Sequence, residues 1–149
     1  MFKPTKILVP TDFSRPSDKA LEEALDIAKQ YKAAIHLLHV IPQELDYLCA
    51  IDYCVDARTM EELREKVPPG AEESLKKQAE KFPLSQEVTI VTEVRKGHPA
   101  EEILKAQEEK EADLIVMAPL GRTGLANFPV GNVTGNIVRS ARCQVLLVR

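Results

Sequence analysis

The residues best suited to chemistry lie between Ala118 and Val133. The stretch reads Ala118-Pro119-Leu120-Gly121-Arg122-Thr123-Gly124, runs through Leu125 to Val130, and closes on Gly131-Asn132-Val133 at the start of a predicted helix. Glycines let the backbone approach a ligand closely and adopt positive φ. A helix start presents amide protons without intrahelical partners, which favours an anion such as phosphate. Asn132 suits an N-cap, and Arg122 adds a cation to the same loop. Spacing alone leaves two readings open, an anion site or an ordinary loop with turn glycines.

Other chemistry-bearing residues form no such constellation. His36 and His39 are an odd number of residues apart on a predicted strand, so they face opposite sides and cannot share a metal. Cys49 and Cys54 have four residues between them, not the two of a redox or zinc pair. Cys143 precedes the last strand and reads as a buried residue. There is no Gly-x-Ser-x-Gly elbow for acyl transfer and no Lys-Ser/Thr ending of a phosphate loop. Paired acids after the first strand are missing, which argues against a phospho-acceptor receiver domain.

The elements that must position the loop follow from apolar patterning. Short apolar runs at Ile7 to Val9, Ala34 to Ile41, Val88 to Val94, Leu114 to Met117 and Gln144 to Val148 read as strands. Between them lie helical patterns. Ser14 caps the first, Pro16 fits its first turn, and Ala20, Leu21, Ala24, Leu25 and Ala28 share one face. Ala71 to Phe82 forms a second, with Leu75 and Ala79 on one side. Pro99 opens a third, with Glu101 and Lys105 as an exposed pair and Glu108 to Glu111 as a solvated end. A short helix near Val133 to Arg139 is the last. Strand and helix alternate throughout, which demands right-handed crossovers and a mostly parallel sheet covered on both faces. Ligands of such sheets bind beyond the carboxyl ends of the strands, where strand order reverses. Three segments should meet there: Pro10-Thr11-Asp12, Val40-Ile41, and Ala118 to Val133.

Composition narrows the class. The 149 residues carry a formal net charge of −3, so charge gives no reason to expect nucleic acid or an anionic membrane as partner. With four Phe, three Tyr and no Trp, a base-stacking platform is unsupported. No apolar run approaches the ~20 residues that span a bilayer. The odd count of three cysteines, and an N-terminus without a leader pattern, point to a reducing, cytoplasmic setting. Residues 1–149 read as one domain without a linker or repeat.

Three stretches together carry a family resemblance: Lys6-Ile-Leu-Val-Pro-Thr-Asp-Phe-Ser14, Gly97-His-Pro-Ala-Glu-Glu-Ile103, and Gly121-Arg-Thr-Gly-Leu125 through Gly131 to Gln144-Val-Leu-Leu-Val148. On them the chain resembles the universal stress protein family over essentially its whole length. The resemblance implies an α/β, flavodoxin-like or Rossmann-like three-layer sandwich with a five-stranded parallel sheet in order 3-2-1-4-5. It implies a homodimer formed through Gln144 to Val148, and at most weak ATP hydrolysis. ATP-binding members carry Gly, two residues, Gly, nine residues, Gly, then Ser or Thr. Here Gly121 and Gly131 keep the nine-residue spacing, while Ala118 replaces the first glycine and Asn132 the final hydroxyl residue.

What the resemblance implies for ATP, with Mg²⁺, is residue by residue. Asp12 and Val40 would contact adenine and ribose, and Met117 would flank the ribose. Gly121, Arg122, Gly131, Asn132 and Val133 would hold the phosphates, with Pro10, Thr11, Ala118 and Thr123 completing the site. The alternative is a dimeric structural or interaction module without useful nucleotide binding. The apolar insertion Leu45 to Val67 should emerge near this site, as a lid, a partner contact or a satellite core.

Overall fold

The computed structural model describes residues 1–43, 70–119 and 132–149. The insertion Leu45 to Val67, with Cys49 and Cys54, lies outside the described residues. Strand β1 (Lys6–Pro10) runs into helix α1 (Arg15–Tyr31), then β2 (Ala34–Pro42). Residues 70–80 form helix α2. A short 3₁₀ turn (Pro83–Gln86), β3 (Ile90–Gly97), α3 (Pro99–Glu109), β4 (Leu114–Met117), α4 (Asn132–Ser140) and β5 (Gln144–Leu147) follow. The strands line up as β3-β2-β1-β4-β5, every neighbouring pair parallel. This is the expected flavodoxin-like order. The reversal of strand order falls between β1 and β4.

Each face of the sheet has its own apolar layer. Ile7, Val9, Ile35, Leu37, Leu114 and Val116 face α1 and the Leu75 and Ala79 side of α2. Leu8, Leu38, Val40, Ile115 and Met117 face Ile103 and Ala106 of α3 and Ile137 of α4. Leu21 and Leu25 of α1 are wholly buried, where truncation to Ala costs about 2–5 kcal/mol. The helix starts as its sequence dictates: Ser14 Oγ accepts from the Ser17 amide at 3.3 Å and Pro16 sits in the first turn. It ends on Lys32 in the left-handed region, φ 59°.

Four local expectations need correction. β3 begins at Ile90 rather than Val88 and runs on to Gly97. Val88 packs on the first apolar layer from outside the ladder, so its side chain serves packing rather than pairing. Lys105 pairs with Glu102, at 3.1 Å, where the sequence predicts Glu101. Glu108 to Glu111 is more than a solvated end: Glu108, Glu109 and Glu111 reach Arg142, Arg95 and Lys6 respectively. Asn132 is itself helical, inside α4 rather than at the cap position that the sequence suggests.

Candidate functional site

At the carboxyl end of the sheet, Pro10 completes β1 and Thr11 turns the chain out of it. The Thr11 amide still donates to the Leu38 carbonyl of β2, at 2.8 Å, so the turn starts in register with the sheet. Thr11 is buried, and its hydroxyl donates to Gln78 Oε1 on α2 at 2.9 Å while accepting from the Phe13 amide at 3.1 Å. Its carbonyl lies 2.8 Å from His39 Nδ1. A carbonyl only accepts, so Nδ1 carries the proton. Asp12 Oδ1 accepts from the Ser14 amide at 3.0 Å and from Ser17 Oγ at 2.7 Å. The carboxylate thus closes a polar turn over the start of α1.

Val40 and Met117 point into the α3–α4 layer and are 8% and 6% exposed. They form apolar floor beneath the site as well as core. Ala118 is buried next to Met117, and its carbonyl accepts from buried Thr134 Oγ1 at 3.2 Å. That bond ties the first turn of α4 to the end of β4. The non-glycine residues with positive φ, among those described, are Phe13, Lys32 and Glu111. Ala118 is outside that set, so its backbone has no need of the glycine found in the ATP-binding pattern; only its methyl group differs.

Pro10, Thr11, Asp12, Val40, Met117, Ala118, Asn132 and Val133 therefore fall at the carboxyl ends of β1, β2 and β4 and at the start of α4. Gly121, Arg122, Thr123 and Gly131 lie outside the described residues. Sequence reasoning missed Gln78 and Thr134 here, two buried polar side chains whose partners are distant in the chain. His36 and His39 do part company, as their spacing requires: His36 meets Glu93 at 2.6 Å and His39 meets Thr11.

Elsewhere the polar groups serve other ends. Cys143 is half-buried rather than buried. Burial and the nearby Asp113 charge push its thiol pKa up, outweighing a backbone hydrogen bond from Ile115. That environment opposes the reactive thiolate. Among the described residues no three His, Cys, Asp or Glu side chains are grouped to hold a metal ion. A cleft of about 350 Å³ opens at the opposite, amino end of the sheet, between Lys6, Ala34, His36, Val91 and Glu111. None of the sequence-predicted site residues lines it.

The family model for universal stress proteins matches residues 3–149. The chain belongs to the universal stress protein family. Universal stress protein MJ0531 of Methanocaldococcus jannaschii is 34% identical over 144 residues, covering 97% of this chain and 81% of that one. Universal stress protein YxiE of Bacillus subtilis is 33% identical over 147 residues, 97% and 98% of the two chains. The solved structure of universal stress protein UspA from Lactobacillus plantarum superposes with a TM-score of 0.80 at 26% identity, covering both chains fully. Two more distant universal stress protein structures share the fold and are complexes, one with cAMP (21% identity, TM-score 0.64) and one from Archaeoglobus fulgidus with dAMP (15%, 0.57).

Proposed function

We propose that this universal stress protein binds an adenine nucleotide, ATP with Mg²⁺, at the carboxyl end of its sheet. The observation that carries the reading is the convergence of the Thr11-Asp12 turn, the Val40 and Met117 floor and the first turn of α4 at the β1–β4 reversal of strand order. A crevice at that point is where open α/β sheets take ligands. The helix start offers amide donors to phosphate, and the buried apolar side chains beneath suit a base. The cAMP and dAMP complexes of distant relatives support the ligand class. Gly121, Arg122 and Gly131 would complete the phosphate end, with Thr123 beside them. The role we assign to this set is regulatory binding rather than turnover.

The test is thermal unfolding with and without nucleotide. Binding to the folded state alone stabilises by about 2.7 kcal/mol at ligand 100-fold above its dissociation constant. A rise in melting temperature with ATP and Mg²⁺, abolished by Gly131→Val, is the expected result. No shift at millimolar nucleotide would leave the protein as a structural or interaction module of its family.

The same reading includes a cytoplasmic homodimer. No helix among the described residues is long and apolar enough to cross a membrane. β5 ends the sheet, its one described strand partner being β4, and an outer strand offers backbone groups to a second copy. Gln144 to Val148 is the proposed contact. Sedimentation at micromolar concentration should show a dimer, and a monomer would overturn it.

A further inference from the structure

We propose that Gln78 is a positioning residue for the nucleotide, holding the β1–α1 turn in its ligand-facing shape from the side of α2. The inference rests on the nucleotide-binding reading above. Gln78 is 2% exposed, a rare place for a glutamine unless its amide is fully partnered. Both ends of that amide are engaged. Oε1 accepts from Thr11 Oγ1 at 2.9 Å, and Nε2 donates to Asp18 Oδ1 at 2.9 Å. Thr11 precedes the turn and Asp18 lies in the first turn of α1. One side chain therefore spans the turn that carries Asp12.

The hydroxyl of Thr11 has one proton, and Gln78 takes it. That fixes the hydroxyl rotor and leaves its lone pairs for the Phe13 amide, 3.1 Å away. Phe13 needs such restraint. Its φ of 64° is uncommon for a bulky residue and persists only where surrounding contacts over-determine it. The His39 ring, 4.5 Å from that of Phe13, supplies a second restraint and holds the Thr11 carbonyl as well. Asp12 sits between Thr11 and Phe13, so its placement depends on both. Without Gln78 the Thr11 rotor is free, the hold on Phe13 weakens, and Asp12 samples other positions. The apolar layer beneath α2, anchored by Leu75 and Ala79, is untouched.

Calorimetric titration of the full chain with Mg²⁺-ATP tests this. Gln78→Met keeps the volume and removes both hydrogen bonds. It should weaken binding about ten-fold, the loss of roughly one well-made hydrogen bond's worth of positioning. Thr11→Val removes the same bond from the other end and should give a similar loss. In the Thr11→Val background, Gln78→Met should then cost little more, because the two act as one unit. Leu75→Ala, on the same helix and fully buried, should lower stability yet leave affinity within about two-fold. Wild-type affinity in Gln78→Met, additive losses in the double variant, or an equal loss in Leu75→Ala would each overturn the positioning role while leaving the site intact. Absence of binding by the wild-type protein would overturn the nucleotide reading and this role together.

Discussion

Two polar clusters flank β2, and they are built differently. At the carboxyl end, Thr11, Ser14, Ser17 and Gln78 join Asp12 and Asp18 through hydrogen bonds whose donors are all uncharged, in buried or half-buried surroundings. On the β3 side, His36, Glu93, Arg95, Glu102 and Glu109 form a charged network instead. Arg95 reaches Glu93 at 2.7 Å, Glu109 at 2.6 Å and Glu102 at 3.7 Å, with its own side chain 12% exposed. The first cluster fixes the β1–α1 turn, at the end of the sheet where we propose that the nucleotide binds. The charged cluster covers an outer strand, where Glu93, Arg95 and Lys96 interrupt the apolar pattern and discourage further strand pairing. Polar residues at the sheet thus do two jobs, shaping a turn at one place and closing an edge at another.

Breaking the charged cluster should have the largest effect. Arg95→Met leaves three carboxylates without their shared cation and should cost about 2–3 kcal/mol in urea unfolding. Repeating the comparison in 1 M salt should narrow the gap, since screening weakens the half-exposed pairs. An unchanged midpoint would show that the network contributes nothing to stability.

Acid should act next on the charged cluster. Burial pushes the Glu93 carboxyl up, but hydrogen bonds and charge from Arg95 and His36 outweigh it and hold the pKa below its ordinary value. A lowered folded pKa adds stability that is complete above the unfolded value of about 4.3 and is lost as pH falls through the folded one. Glu93→Gln should therefore destabilise at pH 7, with the difference from wild type shrinking below about pH 4. A constant difference between pH 7 and 3 would contradict the pairing.

The smallest effect belongs to the outer member of the β1–α1 turn cluster. Ser14→Ala removes the cap of α1 and should cost about 1 kcal/mol by the same unfolding measurement, with little dependence on salt.

The sheet was legible because its inner strands are apolar on both faces. Ile7-Leu8-Val9 and Leu114-Ile115-Val116-Met117 are short apolar runs of strand length, and Ser14, Pro16 and Pro99 mark helix starts by local chemistry. β3 was misplaced because an outer strand need not be apolar. Its Val91 is half exposed, its charges are satisfied across to β2 and α3, and the apolar signal of Val88 belongs to a loop. The placement of Asp12, Val40 and Ala118 at the carboxyl edge of the sheet was legible from strand ends alone, and the resemblance adds Met117. Gln78 was not, because a single glutamine in a helix carries no periodic signal and its partner Thr11 is 67 residues away.

The central claim is that the nucleotide binds at the carboxyl end of the sheet, and amide chemical shifts during titration with Mg²⁺-ATP test it most directly. The account predicts saturable shifts at Thr11, Asp12, Val40, Ala118 and Asn132, with Lys6, Ala34 and Glu111 at the amino end unmoved. Shifts centred on the cleft between Lys6 and Glu111, or none at saturating nucleotide, would contradict it.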